Sequence, residues 1–174
     1  MPNHDEFMRA SDAFSWYQEA DPAMRATIVA VAWLDSAPDW TRLSERVEAG
    51  SRLVPRLRQR VTELPMTVPR WVTDRDFELS WHLRRTTATS EDAVLELARI
   101  EAMTAFDRAR PLWVFTLVEG LPDGRAAFLM KLHHSLTDGV GAVRLAPLLF
   151  DTVRDLDFTP HPEEPAATGE GMPV

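Results

Sequence analysis

The sequence predicts an α/β domain in which a mixed β-sheet is flanked by α-helices. Short apolar runs of strand length occur along the chain, and segments whose apolar residues recur at helical spacing separate them. Two of the runs, residues 112–118 and 125–132, flank the dipeptide Asp123-Gly124, which is typical of a hairpin turn. At 174 residues, 45% of them hydrophobic, the chain is long enough to bury the core of one domain.

Helices are predicted where apolar residues recur every three or four positions between capping or breaking residues. These segments are residues 11–19, 39–53, 91–106 and 139–150. In the first of them, Ser11 or Asp12 is expected to be the N-cap. In the third, which begins after Ser90, seven apolar side chains are expected to pack inward. They are Val94, Leu95, Leu97, Ala98, Ile100, Ala102 and Met103.

The other apolar or alternating segments are predicted to be strands. Residues 26–34 form a continuous apolar, β-branched run, which is typical of a strand covered on both faces. Residues 54–61 alternate apolar and basic side chains, which favours a strand with one exposed face. Residues 71–73 and 77–83 are shorter candidates for extended structure.

Composition and charge exclude several classes of protein. The chain has no cysteine, which excludes disulfides and thiolate catalysis. Residues 151–174 hold six acids and one arginine, which leaves −3 of the net charge of −8 on residues 1–150. This balance argues against a nucleic-acid partner, because such binding depends on neutralising phosphates. The sequence has no run of eighteen apolar residues and no recognisable secretion signal, so we expect a cytoplasmic protein.

The composition of the chain changes near its end. Residues 155–174 are rich in proline and acids, which is typical of a flexible linker and not of a packed element. We therefore predict one domain at residues 1–154 and a linker at residues 155–174.

The candidate site is the pair His133-His134, which follows the apolar run 126–132 directly. A histidine at the end of a buried strand is held still in partly dry surroundings, as a general base requires. Successive side chains of a strand point to opposite faces, so at most one of the two enters a given pocket. One histidine would then be the base, and the other a structural hydrogen-bonding residue.

The residues alone leave two other interpretations open. In the first, both histidines are satisfied core or turn residues without chemistry. In the second, His134 and Asp138 lie four residues apart, share a helix face and bind a metal, although zinc or iron would need further ligands. Asp138 is followed by Gly139, which suits a sharp turn.

The segment His133-His134-Ser-Leu-Thr-Asp138-Gly139 resembles the His-His-x-x-x-Asp-Gly signature of the CoA-dependent acyltransferases, the chloramphenicol acetyltransferase-like superfamily. Five upstream segments, taken in order, resemble the bacterial wax ester synthase/diacylglycerol acyltransferase family. They are residues 54–61, residues 71–85, Pro111-Leu112-Trp113, Glu119-Gly120-Leu121 and Gly124-Arg125. The resemblance covers about Ser11 to Asp151, and it implies one half of a chloramphenicol acetyltransferase-like α/β fold.

The resemblance implies transfer of a long-chain acyl group from acyl-CoA to diacylglycerol or to a fatty alcohol. Acyl-CoA would be a substrate, and neither a cofactor nor a metal would be required. His134 would be the general base that takes the proton from the acceptor hydroxyl, and His133 a supporting residue. Asp138 would be mainly structural, pairing with an arginine to hold the turn, and Gly139 would allow the tight backbone.

Two further features follow from the same resemblance. Pro111, Leu112 and Trp113 would start a core strand and brace the site, in preference to binding substrate directly. His82 would also be structural.

Enzymes of the resembled family have two similar domains with the substrate tunnel between them. The resemblance therefore implies a C-terminal half, as a second domain or chain, that would complete the site. Lipid substrates would also require peripheral contact with a lipid surface, such as the inner membrane or lipid droplets. Two alternatives remain: an acyltransferase of the condensation or polyketide-associated type that uses a carrier-protein thioester, and a non-catalytic binding domain.

Overall fold

The computed structural model describes residues 6–136, and within them it contains a four-stranded sheet, a three-stranded sheet and four α-helices. Asp138, Gly139, the predicted helix 139–150 and the predicted linker 155–174 lie outside the described residues. The elements are β1 (Glu6–Phe7), α1 (Ala10–Gln18), β2 (Thr27–Leu34), α2 (Trp40–Leu53), β3 (Gln59–Thr62), β4 (Arg70–Thr73), α3 (Leu79–His82), β5 (Leu83–Thr87), α4 (Glu91–Met103), β6 (Trp113–Glu119) and β7 (Ala126–His133).

The larger sheet has the strand order β2-β7-β6-β5. Strand β7 is antiparallel to both β2 and β6, whereas β5 is parallel to β6, so the sheet is mixed. Its register places Thr27 opposite His133 and Trp113 opposite Leu132. The predicted α/β class, the mixed sheet and the β6–β7 hairpin are therefore confirmed.

The turn of this hairpin follows from its residues. A short 3-10 turn, Pro122–Gly124, joins the two strands, and Asp123 and Gly124 have φ angles of 61° and 73°. This left-handed region suits glycine, and aspartate tolerates it better than most residues do. The Asp123-Gly124 pair thus reverses the chain and lets the apolar strand β7 return between β6 and β2.

The core lies against the central strands. Nearly every side chain of β7 is buried, as its continuous apolar sequence predicts for a strand covered on both faces. Aromatic rings from β6 and β7 form much of the main cluster, and helix α2 covers them with Leu43 and Val47. A second cluster holds Trp16, Trp71 and Phe106, and it joins helix α1 to the smaller sheet, β1-β4-β3.

Three predictions about local structure are wrong. Helix α1 begins at Ala10, and its N-cap is Arg9, for which the described part of the chain provides no side-chain capping bond. In the predicted strand 54–61, Pro55–Arg58 is a 3-10 turn and the strand is limited to Gln59–Thr62. The alternating pattern misled here, because Pro55 has no N–H for a strand ladder and its fixed φ suits a first helical position. Residues 77–83 hold the short helix α3 and only the first residue of β5.

Two predictions about burial also need correction. Helix α4 is capped as its sequence indicates, since Ser90 accepts a hydrogen bond from the amide of Ala93, but the helix ends at Met103. It packs on β2 and β7 through Val94 and its neighbours, so only one face is covered. Four of the seven side chains expected to point inward are exposed: Leu95, Ile100, Ala102 and Met103. Strand β2 is half-buried and not covered on both faces, since Ala30 and Trp33 are exposed, and within residues 6–136 it is an edge strand of the sheet.

Candidate active site

The two adjacent histidines at the end of β7 have opposite surroundings. His133 is completely buried, whereas His134, the first residue of the following 3-10 turn, is exposed. Backbone bonds fix both: the amide of His133 donates to the carbonyl of Leu112 at 3.0 Å, and that of His134 to the carbonyl of Ala26 at 2.8 Å. Hydrogen bonds therefore hold the turn to Leu112, before β6, and to Ala26, before β2. Of the two histidines, His134 alone is exposed to solvent.

The hydrogen bonds of His133 identify its tautomer. The backbone amide of Ser135 donates to Nδ1 of His133 at 3.1 Å, and the Ser135 hydroxyl lies 2.7 Å from the same nitrogen. A backbone amide can only donate, so Nδ1 is the acceptor and the neutral ring carries its proton on Nε2. Burial lowers the pKa of His133 to about 4, and electrostatic interactions with His134 and Arg108 act in the same direction. His133 is therefore a neutral structural donor and acceptor near pH 7.

A buried carboxylate faces the protonated nitrogen of His133. Oε2 of Glu19 lies 3.4 Å from Nε2, and the two side chains are 3% and 0% exposed. The alignment falls short of a good hydrogen bond, so the contact is mainly electrostatic. The same oxygen accepts a hydrogen bond from the amide of Ala26 at 3.2 Å, while Nε of Arg25 is 4.0 Å from Oε1. Glu19 is not among the site residues predicted from the sequence, because nothing in the local pattern marks a residue at the end of α1 as buried.

Aromatic rings close the space around His133. The edges of Trp16 and Phe106 meet its ring with centroid distances of 6.2 and 5.9 Å. The guanidinium of Arg108 lies over Trp16 at 3.9 Å and donates to Glu63, which also accepts from the indole N–H of Trp16. These contacts exclude water from one side of the histidine pair, and His134 remains on the open side.

Pro111, Leu112 and Trp113 are all buried at the start of β6. The indole N–H of Trp113 donates to the carbonyl of Leu57 at 2.8 Å. His82 is also buried: its Nδ1 donates to the carbonyl of Trp113 at 2.8 Å, and its ring stacks on the indole at 4.7 Å. Burial lowers the pKa of His82. These contacts join the strand that supports His133 to the core.

The remaining predicted site residues, Asp138 and Gly139, lie outside the described part of the chain. Within residues 6–136, no group of three or more histidine, cysteine, aspartate or glutamate side chains is arranged to hold a metal ion. The predicted pairing of His134 with Asp138 is not covered by that finding. Among the same residues, no helix combines the length and apolar character needed to cross a membrane.

Solved structures identify the class of fold. The chain matches the starter condensation domain of rhizomide synthetase RzmA with a TM-score of 0.69 at 13% identity, covering 83% of this chain and 36% of that one. It matches the wax ester synthase/diacylglycerol acyltransferase from Marinobacter aquaeolei VT8 with a TM-score of 0.64 at 24% identity, covering 80% of this chain and 37% of that one. The fold is the chloramphenicol acetyltransferase-like α/β fold that the sequence predicts.

Sequence comparison identifies the family within this class. Residues 8–172 match the family model described as the wax ester synthase/diacylglycerol acyltransferase catalytic domain, and the chain belongs to this family. A putative diacylglycerol O-acyltransferase of Mycobacterium tuberculosis is 44% identical over 152 residues, which are 84% of this chain and 31% of the relative. The probable diacylglycerol O-acyltransferase tgs3 of the same species is 34% identical over 155 residues, covering 84% of this chain and 57% of the relative. The chain thus spans about a third to somewhat over half of the length of these relatives.

Proposed function

We propose that this chain supplies the histidine-bearing wall of an O-acyltransferase, and that His134 is its general base. The enzyme would move a long-chain acyl group from acyl-CoA to diacylglycerol, forming triacylglycerol, or to a fatty alcohol, forming a wax ester. The observation that carries the proposal is the contrast at the end of β7, where the buried, neutral His133 precedes the exposed His134. Membership of the acyltransferase family and the names of the mycobacterial relatives support the choice of reaction.

The chemistry requires a base that deprotonates the acceptor hydroxyl and a site that tolerates the negative charge of the tetrahedral intermediate. His134 takes the proton from the acceptor hydroxyl as its oxygen attacks the carbonyl carbon of the thioester. The tetrahedral oxyanion then collapses, the C–S bond breaks, and the CoA sulfur leaves with the proton that His134 has held. Histidine suits this exchange because it both accepts and returns a proton near neutral pH.

Neighbouring residues would aim the base. In this proposal, the contacts of Pro111, Leu112 and Trp113 support a role as a brace behind β7, and His133 supports the turn from inside. Asp138 would hold the following turn, and Gly139 would allow its backbone to bend. None of these groups would exchange protons with the substrate.

A C-terminal half, as a second domain or a second chain, would provide the opposite wall. The partial coverage of the relatives supports this arrangement, because the matched region is 31% of the first relative and 37% of the Marinobacter enzyme. Diacylglycerol and fatty alcohols are poorly soluble in water, so the assembled enzyme would take them at a lipid surface.

The direct test is the substitution His134→Ala in the form of the enzyme that transfers acyl groups: this chain alone, or with its C-terminal half. With labelled palmitoyl-CoA and diacylglycerol, kcat should fall by about 10²–10⁴-fold, the usual contribution of a general base. Arg99→Ala is the control, because its side chain lies on the exposed surface of α4, away from the turn. If His134→Ala retains near-normal turnover with its fold intact, the assignment of the base is wrong.

The choice of donor separates this proposal from the carrier-protein alternative. Palmitoyl-CoA and a palmitoyl-loaded acyl-carrier protein should be offered to the same enzyme at equal concentration. Preference for acyl-CoA supports the proposal, whereas turnover with the carrier protein alone would identify a condensation-type enzyme. If the chain binds acyl-CoA but neither donor is turned over with either acceptor, a binding domain becomes the better description.

A further inference from the structure

We infer that Glu19 is a positioning residue for the proposed base, His134, and that it acts through the backbone of Ala26 and through the ring of His133. The inference rests on the proposed role of His134. Glu19 does not contact His134 or a substrate, and it would change the rate only by fixing where His134 stands.

The first link runs through Ala26. The N–H of Ala26 donates to Oε2 of Glu19 at 3.2 Å, and its carbonyl accepts the amide of His134 at 2.8 Å. Both polar groups of one residue are thus held, one by the carboxylate and the other by the backbone of the proposed base. If the carboxylate is removed, the amide of Ala26 loses its acceptor, and the segment before β2 can shift together with His134.

The second link runs through His133. Ser135 donates to Nδ1, so Nε2 carries the proton and points toward Oε2 of Glu19 at 3.4 Å. The ring of His133 therefore bridges the carboxylate and the turn that contains His134. A rotation of the buried ring would break the bond from the amide of Ser135, which holds the turn from which His134 projects.

The position of Glu19 is not explained by local structure. It is the C-cap of α1, where the helix dipole disfavours a negative charge. Its side chain is 3% exposed, and burying a carboxylate is unfavourable unless it is paired. An apolar residue would pack there more easily, so the contacts to Ala26 and His133, together with the nearby guanidinium of Arg25, are the physical reason for an acid at this place.

The geometry also indicates which property of Glu19 matters. A single oxygen, Oε2, serves both Ala26 and His133, while Oε1 faces Arg25 at 4.0 Å. In Glu19→Gln, the amide oxygen can occupy the Oε2 position and keep both contacts, although the NH₂ group then faces the guanidinium. Glu19→Ala loses both contacts. The acceptor at Oε2 is thus required, and the charge contributes less.

The test compares three variants of the active enzyme with palmitoyl-CoA and diacylglycerol. Glu19→Ala should lower kcat by about 10–100-fold with little change in KM, since a misplaced base slows the chemical step and not the binding. Glu19→Gln should recover most of the turnover. Glu119→Gln is the matched control: Glu119 is a partly buried acid that pairs with Arg85 at 3.2 Å, at the end of β6 away from the histidine pair, and the variant should behave as the unchanged enzyme.

A second measurement does not depend on activity. In the ¹⁵N-labelled chain, Glu19→Ala should change the imidazole ¹⁵N shifts of His133 and speed the hydrogen exchange of the His134 amide, whereas Glu119→Gln should change neither. If Glu19→Ala loses its fold, Glu19→Asp replaces it, because the shorter side chain withdraws its oxygens by about 1.5 Å.

The two proposals fail in different ways. An unchanged kcat in Glu19→Ala, or unchanged spectra, would overturn the inference about Glu19. Full turnover in His134→Ala would instead overturn the role of the base, even if the spectra of Glu19→Ala change as expected.

Discussion

Ser135 directs both its backbone amide, at 3.1 Å, and its hydroxyl, at 2.7 Å, to Nδ1 of His133. A nitrogen that accepts hydrogen bonds carries no proton itself, so these two contacts favour the neutral ring. The imidazolium is further disfavoured by burial, which lowers the pKa of His133 to about 4. A residue next to the proposed base is thereby held in one protonation state and one tautomer.

This depressed pKa predicts how stability depends on pH. As pH falls through 6.5, the unfolded chain takes up a proton at His133, but the folded chain resists it until about pH 4. The free energy of unfolding should therefore fall between about pH 6.5 and pH 4, by about 3 kcal/mol from this residue. Urea denaturation at several pH values measures this slope.

The control for this prediction is His133→Gln, which cannot be protonated. Ionisable groups remote from His133 contribute alike to both curves, so the difference between the curves reports on the surroundings of His133. The variant should lose less stability on acidification than the unchanged chain. Equal slopes would mean that folding does not perturb the protonation of His133.

Removing the hydroxyl of Ser135 should have a small effect. In Ser135→Ala the backbone amide still donates to Nδ1, so the tautomer of His133 is retained. The lost hydrogen bond should lower the free energy of unfolding by about 1 kcal/mol. Ser11→Ala, on the exposed surface of α1, should cost less, and chemical denaturation compares the two. A changed tautomer in the ¹⁵N spectrum of Ser135→Ala would contradict this account.

The features that the sequence predicts correctly are those that depend on local pattern. The hairpin of β6 and β7 follows from two apolar runs around Asp123-Gly124. Of the two adjacent histidines, which strand alternation would place on opposite sides, His133 is buried and His134 is exposed at the start of the 3-10 turn. Both signals lie within a few residues of the structure that they specify.

The features that sequence reasoning missed depend on contacts between distant segments. Glu19 is buried because α1 packs against the turn after β7, and no periodicity in α1 encodes that partner. The exposed apolar side chains of α4 were misjudged for a related reason, since their helical spacing does not reveal how much of the helix is covered. The strand predicted at residues 54–61 was wrong for a local reason: Pro55 favours the 3-10 turn, and the alternating pattern did not take this into account.

Trp113→Phe should destabilise the core by about 2–3 kcal/mol. The substitution removes the indole N–H that donates to the carbonyl of Leu57 at 2.8 Å, and it leaves that buried acceptor without its donor. It also leaves unfilled space in a well-packed cluster. Urea denaturation gives the change, and Trp33→Phe is the matched control, because Trp33 is 43% exposed. Equal losses in the two variants would show that neither the bond to Leu57 nor the packing of the indole contributes to stability.

The loss of stability should depend on which partner of the ion pair between Lys131 and Glu101 is removed. Lys131 is 4% exposed, and its Nζ donates to Glu101 at 3.0 Å and to the carbonyl of Thr104 at 2.9 Å. Glu101→Ala leaves the buried ammonium without a counter-charge and should cost about 1–3 kcal/mol, less than a fully buried pair would, since Glu101 is 29% exposed. Lys131→Met removes the charge and keeps the volume, so stability should change by less than about 1 kcal/mol.

Thermal or urea denaturation of the two single variants and the double variant tests this asymmetry. In the double variant Lys131→Met/Glu101→Ala, the buried charge is gone, so most of the loss seen with Glu101→Ala should be recovered. The packing of Phe106, which lies 4.8 Å from Nζ of Lys131 and also contacts His133, should then be retained. If Lys131→Met proves more destabilising than Glu101→Ala, the ammonium itself stabilises β7, and the desolvation argument is wrong for this pair.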